Sequence, residues 1–128
     1  MQKLVHIALV VRDYEEAITF YVNKLGFILI EDTVQSETKR WVIVAPNSEN
    51  SSHILLAKAV GEEQKSRIGN QTGGRVFLFL QTDDFWRDYN KYLENGVKFV
   101  RKPSLEIYGT VAVFEDLCGN LWDLIQCN

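Results

Sequence analysis

Two residues of this 128-residue chain have side chains that could do chemistry in telling places, His6 near the start and Asp123 near the end. His6 interrupts the apolar run Leu4-Val5-His6-Ile7-Ala8-Leu9-Val10-Val11. A histidine there either faces a cavity, as a metal ligand or acid/base, or packs as a core or rim residue with no chemical role. His53 opens another apolar run, HILLAKAV. Glu115, Asp116 and Asp123 cluster in sequence, and paired carboxylates are the equipment of acid/base hydrolysis, with Glu115 the candidate catalytic group. Asp116 is better explained as a turn residue that bonds nearby backbone. Cys118 stands beside Gly119 in the same turn with no histidine close in sequence, which favours an inert thiol. Neither a G-x-S-x-G elbow nor a G-x-x-x-x-G-K loop is present.

The elements that must position these groups follow from periodicity. Residues 3 to 11 read as a strand buried on both faces. Asp13 then caps a helix carrying Ala17, Ile18, Tyr21, Val22 and Leu25 at helical spacing, and Gly26 stops it. FILIEDTVQ, RWVIVAPN and HILLAKAV read as three strands. The charged, Gly-rich GEEQKSRIGNQTGG reads as a link with a short helical turn, its charges forming a solvated face.

The pattern then restarts. RVFLFLQTDDFWRDYNKYLENGVKFV repeats strand, Asp cap, helix and Gly stop. With Asp13 set on Asp84, Tyr14 falls on Phe85, Tyr21 on Tyr92 and, after a one-residue deletion, Gly26 on Gly96. WVIVAPN matches VAVFEDL, and HILLAK matches LWDLIQ. The expected organisation is one α+β domain over 1–128, built from two tandem β-α-β-β-β modules (1–60 and 74–128) joined by a link at 61–73. The modules should form a curled mixed sheet around a cleft, with helices outside.

Bulk properties narrow the function classes. The net charge of −3 comes without a basic stripe, which argues against nucleic acid as a partner. No apolar run approaches the ~20 residues of a membrane span, so no membrane role is expected. With two distant cysteines and no signal-peptide pattern, a cytoplasmic, reduced setting is the expectation.

Three stretches, HIALVVRDYEEAITFYVNKLGF, YLENGVKFV and YGTVAVFEDLCGNLWDLIQ, resemble the vicinal oxygen chelate superfamily. That group holds glyoxalase I, bleomycin-resistance proteins, fosfomycin-resistance enzymes and extradiol dioxygenases. The last stretch is similar to the family's D-P-D-G-N-x-x-E-L ending, with Leu117 and Cys118 replacing Pro-Asp. The resemblance implies metal-ligand positions on four strands, which fall here on His6, Leu55, Phe77 and Asp123. Two of these can bind a cation, whereas a catalytic metal normally has at least three protein ligands. A slipped site drawing on His53 and Glu115 beside His6 and Asp123 is the alternative. The cofactor expectation is therefore none, or a divalent Zn, Ni, Fe or Mn.

Strand alternation turns Phe77 and Phe79 toward the expected cleft, with Phe114 and Trp122 on the opposite alternation beneath the helices. The resemblance implies the same inward place for Trp41, for Leu55 at a ligand position and for Tyr108 before Gly109 at the cleft mouth, giving an aromatic lining for a small organic molecule. Two functions remain open. One is a binding protein of the bleomycin-resistance type with an incomplete metal site. The other is a metal-dependent lyase, transferase or dioxygenase of the glyoxalase type using His6 and Asp123. A homodimer is expected in either case.

Overall fold

Asp13 and Asp84 each open a helix in the computed structural model, which describes residues 1–128. The Asp13 carboxylate accepts from the Glu16 N–H at 2.9 Å, and Asp84 accepts from the Arg87 N–H at 3.2 Å. Each bond satisfies one of the orphan donors of a helix N-terminus. The helices that follow are α1 (Tyr14–Ile18) and, in the second half, α3 (Phe85–Glu94). Between them in the chain, α2 spans Gly61–Ser66.

The first helix departs from the single α-helix that its periodicity predicts. After Ile18 it widens into a π-helical stretch, Thr19–Lys24, where the Leu25 N–H reaches back to the Phe20 carbonyl at 3.1 Å. Both helices end at a left-handed glycine, Gly26 with φ 76° and Gly96 with φ 82°, a conformation in which a side chain would be strained.

The strands form two open, four-stranded mixed sheets. The first contains β1 (His6–Val11), β2 (Ile28–Val34), β3 (Arg40–Ala45) and β4 (His53–Lys58), in the order β1-β4-β3-β2. The second contains β5 (Val76–Gln81), β6 (Lys98–Glu106), β7 (Gly109–Glu115) and β8 (Leu121–Cys127), in the order β5-β8-β7-β6. In each, the first strand pairs parallel with the last and the other pairings are antiparallel. The duplicated topology makes this an α+β fold. The copies are not identical, because a register shift between Val76 and Leu78 places Phe77 in a bulge, whereas β1 and β4 pair without a break from His6↔His53 to Val11↔Lys58.

Each sheet packs one face against a helix, and an inner strand, β3 or β7, is buried on both alternations, at Ile43 and Ala45 or at Val113. In the first half, Leu9, Val11, Val42, Val44 and Leu56 are buried, and α1 packs on β3 and β4. In the second half, α3 packs on β8, Phe114 stacks on Trp122 at 5.9 Å, and Tyr92 meets Phe114 edge-on at 5.4 Å. Burial of such rings contributes more than any other residue type to a small core. The alternate residues point the other way: Phe79 is 68% exposed although it neighbours the half-buried Leu78 and Leu80. The chain divides into two compact units, Met1–Ile68 and Gly69–Asn128, so the dividing point falls inside the stretch read as a link. No helix is long and apolar enough to cross a membrane.

Candidate functional site

The first unit carries a pocket of about 730 Å³, within the range of roughly 300–1,000 Å³ usual for small-molecule sites. Trp41 on β3 and Leu55 on β4 form its apolar wall. Their neighbours are fixed by the sheet: Leu55 is flanked in register by Ala8 and Ile43, and Trp41 by Thr33. The lining also includes the turn after β2, through Ser36 and Lys39, and α2, through Gln64 and Lys65. Tyr14, the first residue of α1, closes one side.

Hydrogen bonds hold this frame. The Tyr14 hydroxyl accepts from the Arg40 N–H at 3.1 Å. The Arg40 guanidinium pairs with Asp32 at 2.5 Å and Glu15 at 2.6 Å, and these bonds raise its pKa above its already high ordinary value. Arg40 thereby ties β3 to β2 and α1. The Ser36 hydroxyl accepts from the N–H groups of Thr38 and Lys39, at 3.2 and 3.1 Å, and shapes the hairpin turn. The Gln64 side-chain carbonyl accepts from the Val60 N–H at 2.8 Å and fastens α2 to the end of β4.

His6 stands at the far end of the same sheet. Its ring stacks on His53, with centroids 5.8 Å apart, and meets the edge of Trp41 at 5.8 Å. Its Nδ1 lies 2.9 Å from the Val5 carbonyl. The polar neighbours of His6 are thus its own backbone and one other imidazole.

In the second unit, Asp123 on β8 is in register with Phe79 on β5 and Val113 on β7. One of its carboxylate oxygens is buried without a hydrogen-bond partner. Burial raises its pKa from 3.8, and the charge of Arg101 opposes the shift. Glu115, at the end of β7, is drawn to Lys98, whose ammonium lies 3.5 Å from its carboxylate. Tyr108 precedes the other end of β7, exposed, and its carbonyl accepts from the Asn128 N–H at 3.1 Å. Phe77 is half-buried in its bulge. Asp116 is a turn residue: its buried carboxylate accepts from the N–H groups of Cys118, Gly119 and Asn120 and from the Asn120 side chain, all within 3.0 Å.

The four positions that the family resemblance assigns to a metal hold His6, Leu55, Phe77 and Asp123. Leu55 and Phe77 have no donor atom, and no group of three or more His, Cys, Asp or Glu side chains is placed to share an ion. This donor set does not fit a resident catalytic metal.

A family model described as the glyoxalase/bleomycin resistance protein/dioxygenase superfamily matches residues 3–124. The chain belongs to that superfamily. A superfamily relative from Shewanella frigidimarina (strain NCIMB 400), an uncharacterized protein, is 66% identical over 128 residues, covering 99% of this chain and 95% of its own. Among solved structures, UcmS2 superposes with a TM-score of 0.85 at 30% identity, covering 98% of each chain. TnmS3, an antibiotic binding protein from Streptomyces sp. CB03234, superposes at 0.80 with 28% identity, covering 100% of this chain and 98% of its own.

Sequence reasoning named Trp41 and Leu55, which meet at one pocket. Tyr14 opens a helix, Lys39 sits in a turn, and Gln64 and Lys65 lie in the charged link, so strand alternation does not reach any of them. The one available signal was the basic pair Lys39-Arg40 directly before Trp41.

Proposed function

We propose that the protein is a small-molecule binding protein of the bleomycin-resistance type, which holds an organic ligand against Trp41 and Leu55 without transforming it. The pocket in the first unit carries this reading. It is roomy, walled by an indole and an aliphatic side chain, and bordered by donors already anchored to the frame. The antibiotic-binding activity of TnmS3, at 28% identity over the whole chain, supports it. The lack of a third metal donor argues against the glyoxalase-type alternative. The same reading takes the chain to be a cytoplasmic homodimer.

The test is a titration with methyl 2-naphthoate, a neutral aromatic, followed by Trp fluorescence in the wild-type protein and in Trp41→Ala. Saturable quenching that is lost in the variant supports the reading. Absence of any saturable signal in the wild type with both this ester and its parent acid, 2-naphthoate, or turnover of either by protein loaded with a stoichiometric metal, overturns it.

A further inference from the structure

We infer that the occupant of the first-unit pocket is an anion, an aromatic or aliphatic body ending in a carboxylate or phosphate. The inference rests on the binding reading above and narrows it to a ligand class. It draws on two separate observations, the charges around the pocket and the state of its hydrogen-bonding groups.

The charges come first. Lys39, Arg40, Lys58 and Lys65 line the pocket, and no Asp or Glu is among the lining residues. This concentration of positive charge occurs in a chain whose net charge is −3, so it is not a reflection of a basic protein. Arg40 is committed to Asp32 and Glu15. Lys39, Lys58 and Lys65 form no ion pair. Of the acids close by, Asp32 and Glu15 are engaged by Arg40, and Glu63 on α2 pairs with Arg67 at 3.3 Å. Three lysines without an ion pair, and no carboxylate, among the residues around one concavity raise the local concentration of anions.

The hydrogen-bonding groups point the same way. Tyr14, Ser36 and Gln64 all line the pocket, and each has an acceptor atom already taken by a backbone N–H. Ser36 accepts twice and Tyr14 and Gln64 once each, and all three keep their donors: the phenolic O–H, the seryl O–H and the side-chain amide N–H groups. A lining with four cationic residues, no carboxylate and three side chains that keep their donors suits a ligand rich in acceptor oxygens, and charge-assisted bonds to a carboxylate or phosphate are the strong ones. Trp41 and Leu55 supply the apolar surface for the remainder of such a molecule.

A charge series on one ring tests this: 2-naphthoate, 2-naphthyl phosphate, the neutral methyl 2-naphthoate and the cationic 2-naphthylmethylamine, each titrated calorimetrically at low and high salt. The anions should bind about tenfold or more tightly than the ester at low salt, with the cation weakest. Their advantage should fall as salt rises. In a Lys39→Gln/Lys58→Gln/Lys65→Gln variant, the ratio of anion to ester affinity should drop to near one, while Lys91→Gln, outside the pocket, preserves it. Carboxylate and phosphate sources are separated by which anion gains more. If the ester binds and the anions show no advantage, or if the triple variant keeps the advantage, the anion inference is overturned and the binding function stands. If none of the four binds, both fall.

Discussion

His6 and His53 occupy paired positions on the parallel strands β1 and β4, and their imidazoles stack at 5.8 Å with planes 21° apart. Trp41 meets the same His6 ring edge-on. The histidine of the first strand therefore serves as a flank for the Trp41 indole. Replacing it with Ala uncovers one edge of Trp41. The expected result is a red shift in the Trp41 emission, read as the difference from a Trp41→Phe background, with metal content unchanged by elemental analysis. Because His6 is exposed, stability should change by less than about 0.5 kcal/mol.

Trp41→Ala should weaken binding of 2-naphthoate by about three- to tenfold, the range expected when one aromatic contact worth roughly 0.5–1.5 kcal/mol is removed. Leu55→Ala should weaken it less, since its flank is shared with Ala8 and Ile43. Calorimetric titration of both variants separates the two contributions.

Asp123 gives a pH signature. Its pKa is raised in the folded state, chiefly by burial, so the folded protein binds the proton more tightly than the unfolded chain does. The charged carboxylate therefore costs stability at neutral pH, and this cost disappears as the pH falls below the unfolded value of 3.8. Asp123→Asn should raise the melting temperature at pH 7, and the difference from wild type should shrink as the pH is lowered toward that value. A gap that widens in acid would show that the carboxylate is stabilised in its charged form.

Asp116→Ala removes the acceptor shared by three backbone N–H groups in the turn between β7 and β8. Loss of about 3 kcal/mol is expected, because buried donors are left unsatisfied. Asp13→Ala and Asp84→Ala should each cost about 1 kcal/mol, the ordinary worth of a helix cap. Urea denaturation of the three variants ranks them.

Leu105 and Ile107, around the turn before β7, are 81% and 96% exposed, and neighbouring Tyr108 is exposed as well. In the proposed homodimer these exposed apolar side chains are the expected contact. Sedimentation equilibrium should give twice the chain mass of 14.8 kDa for the wild type, and Ile107→Lys should shift the population toward the single chain.

The parts of the fold that were legible in the sequence are local or periodic. Both aspartate caps and both glycine stops depend on a few adjacent residues. Alternation correctly set Phe114 and Trp122 against Phe79, since neighbours on a strand face opposite ways. The π-helical turn was hidden, because Thr19 to Lys24 carry no breaker and the widening is visible only in the bonds that reach past them. The bulge at Phe77 was hidden too, being a mismatch between two strands that neither discloses alone. For the site, Trp41 and Leu55 were legible as inward residues. Lys39, Lys58 and Lys65 were not, since a turn, a strand end and a helix bring them to one rim.

Arg40 locks α1, β2 and β3 together, and the adjacent lysines share none of that labour. The scaffold of the cavity and the polarity of its mouth are thus carried by different side chains. Exchanging ammonium for carboxylate at 39, 58 and 65 together would reverse the charge around the cavity while leaving the bonds of Arg40 in place, so the scaffold allows the preference for a guest to change through surface positions alone.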